Sequence, residues 1–252
     1  MAGPANSRLD LEHDPPIGEV MLQFEGVSSG HGGIPIVRDV TLDVRTGEVL
    51  AIVGRNGVGK TTFVDTVAGL LRASAGRIYF DGHEITARSA SERARLGLGY
   101  VPQGRGNFAR LTVEENLRMG ELVGGDPNSA DFERVYGWFP ILRQRKRQRA
   151  GTLSGGEQQM LAVGRVLVGK PKLLVLDEPS EGIQPSIVQD IARIIRDQNE
   201  TDGLTVLLVE QNIDLVFMTA DRCVVMDKGT IATWLEPETL CDPAVVRQHL
   251  AI

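Results

Sequence analysis

Apolar and polar positions along the chain follow two periods, and the period changes as the chain proceeds. Residues 21–27 alternate. So do residues 37–44, where Val40, Leu42 and Val44 share one face, and both segments read as half-buried strands. Residues 49–53 are apolar without a break, as in a strand buried on both faces. A helical pattern opens at Gly59 and stops at Gly69. Residues 76–80 form a short strand closed by Asp81-Gly82, a hairpin signal. Ser89 and Glu92 frame a capping box, and residues 98–101 read as a buried strand ending at Pro102-Gln103. Between 104 and 150 strand signals disappear, and helical spacing over 113–119 and 131–139 predicts an inserted helical subdomain of about 104–165. After Leu153 the pattern reverts. Strands are predicted at 172–176, 205–209, 223–226 and 230–235. Helices are predicted at 186–199, with Ile187, Ile191, Ile194 and Ile195 on one side, at 213–220 and at 243–250. Strand–helix alternation implies an α/β fold with right-handed crossovers and a mostly parallel sheet.

Composition adds bounds rather than identity. The 252 residues are 42% hydrophobic and 24% charged, ordinary for a globular chain able to bury a full core. A net charge of −6 argues against nucleic acid as the main partner. Cys223 and Cys241 build no disulfide framework, and Cys223, inside an apolar run, reads as a small buried hydrophobe. Residues 1–18 carry Asp10, Glu12, Asp14 and adjacent prolines without a basic start or apolar core. They are expected to be a disordered extension rather than a signal peptide, ahead of one domain over 19–252. No apolar run reaches bilayer-spanning length, so a cytoplasmic chain is expected. The run from Arg143 to Arg149 holds four Arg and one Lys and is expected to be a solvated helix face.

The most specific stretch is 54–62, which fits G-x-x-x-x-G-K-[ST] between the predicted strand 49–53 and the following helix. Gly54, Arg55, Asn56, Gly57, Gly59, Lys60, Thr61 and Thr62 are the candidate phosphate cradle. Glycines let successive backbone N–H groups face phosphate oxygens, and the helix N-terminus adds its dipole. Lys60 supplies a point charge for the β- and γ-phosphates, and the Thr61 hydroxyl is placed to hold Mg²⁺. A second constellation is Asp177-Glu178, ending four apolar residues. Asp177 suits the metal side, and Glu178, one residue on, suits orienting or deprotonating an attacking water. Gln103 offers an amide oxygen to metal or water. Ser154 and Glu157 form a capping box around Gly155 and Gly156, a second candidate anion site on a helix N-terminus. His13, His83 and His249 show no metal-ligand spacing.

Residues 153–157 (LSGGE) resemble the signature motif of ATP-binding cassette (ABC) ATPases. They lie between the phosphate loop, which resembles Walker A, and residues 173–177, which resemble Walker B, with Gln103 where that family has its Q-loop. The resemblance covers about 21–252. It implies a P-loop NTPase of the ABC ATPase fold: a RecA-like mostly parallel core, an antiparallel β-subdomain and an inserted helical subdomain. It also implies ATP with Mg²⁺, and head-to-tail dimerisation in which Ser154, Gly155, Gly156 and Glu157 close over nucleotide held by the other subunit. Residues 101–105, 111–117, 149–154, 178–185 and 209–211 are similar to the branch that takes up hydrophobic amino acids and amides, with 181–185 most like the urea-type subunit. That likeness implies integral-membrane permease subunits, a second ABC ATPase subunit, an indirect solute-binding protein and a peripheral place on the cytoplasmic face. Three positions depart from the family. Gln211 stands at the switch, where most members have His, so it can bond a γ-phosphate but carry no proton. Gln184 stands where Asp is usual, and His31 is the candidate adenine-stacking residue in place of an aromatic. The rival readings are a soluble ABC ATPase without transport and a cassette that binds nucleotide without hydrolysing it.

Overall fold

A computed structural model describes residues 19–122 and 132–241. The predicted extension 1–18, Asp131, the predicted helix 243–250, His13 and His249 lie outside the described residues.

Two sheets divide the strands. β1 (Val20–His31), β2 (Ile34–Arg45), β4 (Ala73–Phe80) and β5 (His83–Glu84) form an antiparallel sheet in the order β2-β1-β4-β5. β3 (Val49–Val53), β6 (Leu98–Val101), β7 (Leu173–Asp177), β8 (Thr205–Glu210), β9 (Arg222–Asp227) and β10 (Thr230–Leu235) form the other sheet, in the order β10-β9-β3-β8-β7-β6. All pairings in it are parallel except β10 on β9. The alternating strands behave as their pattern demands: Val40, Leu42 and Val44 of β2 are buried, while β3, β7 and β8 are buried at every position.

The helices are α1 (Lys60–Ala68), α2 (Ala90–Arg95), α3 (Val113–Glu121), α4 (Phe132–Trp138), α5 (Pro140–Gln144), α6 (Gly155–Val168), α7 (Pro185–Asp202) and α8 (Ile213–Thr219). The three capping boxes at Ser89, Thr112 and Ser154 start α2, α3 and α6. Each leaves fewer orphan N–H groups at a helix start, which is why these starts sit where the sequence puts them. α3, α4 and α5 pack on α6, and α3 comes so close that a Cβ on Gly120 would stand 1.8 Å from the Arg165 carbonyl. One sequence expectation fails here. The run 143–149 is no helix face, because α5 ends at Gln144 and Arg145 to Gln148 turn the chain. The turn is held by Val113 and Glu114 N–H groups donating to the carbonyls of Gln148 and Lys146.

Arg93 of α2 is 1% exposed and has no carboxylate partner. Its guanidinium donates to the Thr66 and Val67 carbonyls at 2.7 Å, in the last turn of α1, and to the Arg88 and Thr86 carbonyls. Burial pulls its pKa down to about 10, so it stays charged and neutralises the negative end of the α1 dipole. Cys223 is fully buried, and burial pushes its thiol up to about 12, as a packed hydrophobe requires.

Candidate active site

The ends of β3, β7 and β8 converge on one side of the parallel sheet, and the predicted chemistry gathers there. Residues 54–59 link β3 to α1. Gly54 is pressed against β9: a Cβ there would lie 2.5 Å from the Met226 carbonyl. Gly57 and Gly59 adopt φ of +78° and +112°, open to glycine at little cost. α1 begins without a side-chain cap and without an acid in its first turn, so its leading N–H groups are available to an anion. Lys60 is 4% exposed. Its Nζ donates to the Gly54 and Arg55 carbonyls at 2.8 and 2.9 Å and pairs with Glu178 Oε1 at 3.2 Å. Thr61 is exposed on the first turn and Thr62 is buried.

Asp177 ends β7 with both carboxylate oxygens buried and without a hydrogen-bond partner. Burial pushes its carboxyl up to about 7, with Glu178 and Asp65 adding to the rise and Lys60 opposing it. The Gln103 N–H also opposes, from outside hydrogen-bond geometry. A buried carboxylate without donors is costly unless a cation answers it. Asp177, the Thr61 hydroxyl and the Gln103 amide oxygen are hard oxygen donors suited to Mg²⁺. The Gln103 amide nitrogen is turned away, donating to Glu181 Oε2 at 3.0 Å and Glu178 Oε2 at 3.4 Å. The residues present therefore fit a Mg²⁺–nucleotide.

Glu178 stands in the left-handed region at φ +45°, a strained conformation for a non-glycine residue. Its N–H donates to the Val209 carbonyl at 2.8 Å, which anchors it to β8. Its Oε1 accepts from Gln211 Nε2 at 2.7 Å, and the same nitrogen donates to Asn56 Oδ1 at 2.6 Å. The sequence lets Gln211 bond a γ-phosphate. Both hydrogens of its amide are spent on Glu178 and Asn56, so reaching a phosphate requires giving one up.

Ser154, Gly155, Gly156 and Glu157 start α6, away from this cluster: no hydrogen bond or ion pair links them to residues 54–62. The Ser154 hydroxyl accepts from the Glu157 N–H at 3.3 Å, and Glu157 Oε2 accepts from the Ser154 N–H at 2.8 Å. Glu157 Oε1 lies 2.8 Å from Arg145 Nε, an ion pair too bent to be a hydrogen bond. Glu157 is thus already engaged. Gly156 has a packing role beside any anion role, since a Cβ would meet Ile187 Cδ1 at 2.0 Å. His31 is exposed at the end of β1; burial raises the pKa of Asp65 on α1, and His31 lies close enough to oppose that rise.

Sequence reasoning passed over Glu210. It ends β8 at 1% exposure and accepts the N–H groups of Ser180, Gln211 and Asn212. The signal was present: residues 205–210 repeat the apolar-run-then-acid pattern of 173–177.

A family model described as ABC transporter matches residues 37–181. The chain is 46% identical to the high-affinity branched-chain amino acid transport ATP-binding protein BraG of Pseudomonas aeruginosa, over 84% of this chain and 91% of that protein. It is 34% identical to the lipopolysaccharide export system ATP-binding protein LptB of Escherichia coli K12, over 91% of this chain and 96% of that one. A solved ATP-binding cassette of an ABC transporter in its ADP conformation superposes with a TM-score of 0.76 at 30% identity, covering 90% of this chain and 97% of its own.

Proposed function

The chain belongs to the ABC transporter ATPase family, and on that premise we propose that it is a motor subunit of an importer for branched-chain amino acids. It is an ATPase that uses ATP with Mg²⁺. ABC ATPase subunits dimerise and work with membrane permeases, and among the described residues no helix is long and apolar enough to cross a membrane. We take 19–252 as one nucleotide-binding domain, with about 104–165 as its helical subdomain, held peripherally at the cytoplasmic face by the permeases it drives.

The observation that carries the hydrolytic assignment is Asp177-Glu178 at the end of β7 with Lys60 Nζ 3.2 Å from Glu178. Residues 54–62 bind the phosphates. Asp177, Thr61 and Gln103 would hold Mg²⁺, whose charge would screen the charge that builds on the phosphoryl oxygens. Lys60 exchanges Glu178 for phosphate oxygens, which frees the Glu178 carboxylate to orient and deprotonate the attacking water. Gln211 holds Glu178 on the other side without taking up a proton. Ser154, Gly155 and Gly156 face the nucleotide of the other subunit, so an isolated subunit should bind ATP and hydrolyse it poorly.

A groove of about 560 Å³ lies between α2, β6, α3 and α6, edged by the exposed apolar residues Leu70, Phe108 and Met119. It adjoins the segment after Gln103 and is our candidate seat for the permease's cytoplasmic segment. The solute assignment rests on the 46% identity to BraG. The likeness of 181–185 to urea-type subunits favours urea or amides as a second reading. Uptake of radiolabelled leucine, valine and urea by cells lacking this chain tests both. Loss of leucine and valine uptake alone supports the first, loss of urea uptake supports the second, and neither loss rejects import of these solutes.

A further inference from the structure

Glu210 is a buried carboxylate with no task in the assignments above and, among the described residues, no ion-pair partner. Its Oε1 accepts the Ser180 N–H at 2.8 Å, and its Oε2 accepts the Gln211 N–H at 2.8 Å and the Asn212 N–H at 2.9 Å. Burial raises the pKa of the group, and its main-chain donors oppose that rise only in part. The two loops it joins are distinct in sequence. One follows β7 and carries Glu178, Ser180 and Glu181, and the other follows β8 and carries Gln211. The first loop also reaches the start of α6, where a Cβ on Gly155 would lie 3.6 Å from the Gly182 carbonyl.

A carboxylate spanning two loops fixes their separation. That separation decides whether Gln211 Nε2 lies at 2.7 Å from Glu178 Oε1 or drifts out of reach. We propose that Glu210 is a positioning residue for hydrolysis: by bonding the Ser180, Gln211 and Asn212 N–H groups at once it locks the two loops together and keeps the Gln211 amide on Glu178. This rests on Glu178 acting on the attacking water and on Gln211 holding Glu178, as assigned above. A glutamine at 210 cannot substitute. Its single carbonyl oxygen serves one loop, and its amide nitrogen would face an N–H donor of the other.

The test uses the full chain reconstituted with its permease. Turnover and ATP KM would be measured for the wild type, Glu178→Gln, Glu210→Gln, Gln211→Ala and the 210/211 double variant, with thermal melting recorded for each. Glu210→Gln should lower kcat about tenfold and leave the ATP KM within about twofold. In the Gln211→Ala background the same change should cost less than about twofold, because the amide it positions is gone. Full turnover in Glu210→Gln beside a dead Glu178→Gln overturns the inference alone. So does a tenfold loss that persists undiminished in the Gln211→Ala background, which marks a merely structural residue. Wild-type-like turnover in Glu178→Gln overturns the catalytic assignment and the inference with it.

Discussion

Asp177 and Glu210 end neighbouring parallel strands, one register step apart, since Asp177 pairs with Val209. Both are 1% exposed, and burial raises the pKa of both. Their surroundings are opposite. Asp177 has no donor to either oxygen, whereas Glu210 has three. Carboxylates of similar depth therefore carry different instructions: the first is left unsatisfied, as a cation ligand would be, and the second is finished by the chain itself. Distance from solvent does not separate a binding group from a structural one. The count of unmet lone pairs does.

Substitutions at the two positions sharpen the contrast, and the largest effect belongs to Asp177. Asp177→Asn should reduce Mg²⁺-dependent phosphate release at least about 100-fold, as loss of a metal-holding carboxylate does. A variant that retains more than a tenth of wild-type turnover would move the metal elsewhere.

The next effect is on stability, and its sign is unusual for a mutation of a buried residue. The folded Asp177 titrates at about 7 against an ordinary value of 3.8, so the folded chain holds an extra proton across that window. Stability of nucleotide-free protein in metal-free buffer should then fall as pH rises from about 4 to about 7, with nothing further lost above it. Asp177→Asn should remove that fall and stabilise the chain by about 2–4 kcal/mol at pH 8, and by less at pH 5. Denaturant titrations at the two pH values decide it, and a destabilised Asp177→Asn would mean that the carboxylate is partnered after all.

Glu210→Gln should do the reverse at neutral pH, costing about 1–3 kcal/mol because buried N–H groups lose their acceptor. A melting temperature equal to wild type would erase the distinction between the two acids. The smallest of these effects is expected at Gln211. Gln211→Ala should slow ATP hydrolysis about tenfold, no less than Glu210→Gln does and by less than Glu178→Gln does, since it supports the base without replacing it. Steady-state rates of the two variants side by side would expose a reversed order.

Much of the fold and half of the candidate site are legible in the sequence. The phosphate loop is contiguous, so its glycines, Lys60 and the helix behind them declare themselves locally. The capping boxes at Ser89 and Ser154 work the same way, through residues three apart. The rest depends on strand order. Asn56, Glu178 and Gln211 meet only because β8 lies between β3 and β7, and no local pattern reveals which strands neighbour each other. The φ of +45° at Glu178 was hidden for a related reason: its N–H is captured by Val209 of another strand. Residues 143–149 misled because spacing alone did not show that α5 stops at Gln144. The Val113 and Glu114 N–H groups draw the following residues into a paired turn.

Arg93 ties the tail of α1 to α2, and α2 forms one wall of the groove. At about 1.5 Å per residue, the nine residues of α1 make a rod about 14 Å long. Its front end carries Lys60 and the phosphate-facing N–H groups. Its tail is held twice, by the Arg93 guanidinium on the Thr66 and Val67 carbonyls and by the burial of Val67 and Ala68 in the core. A load on the groove wall would therefore meet α1 at its tail and reach the end that carries Lys60 along a single helix, and a load on that end would return by the same route.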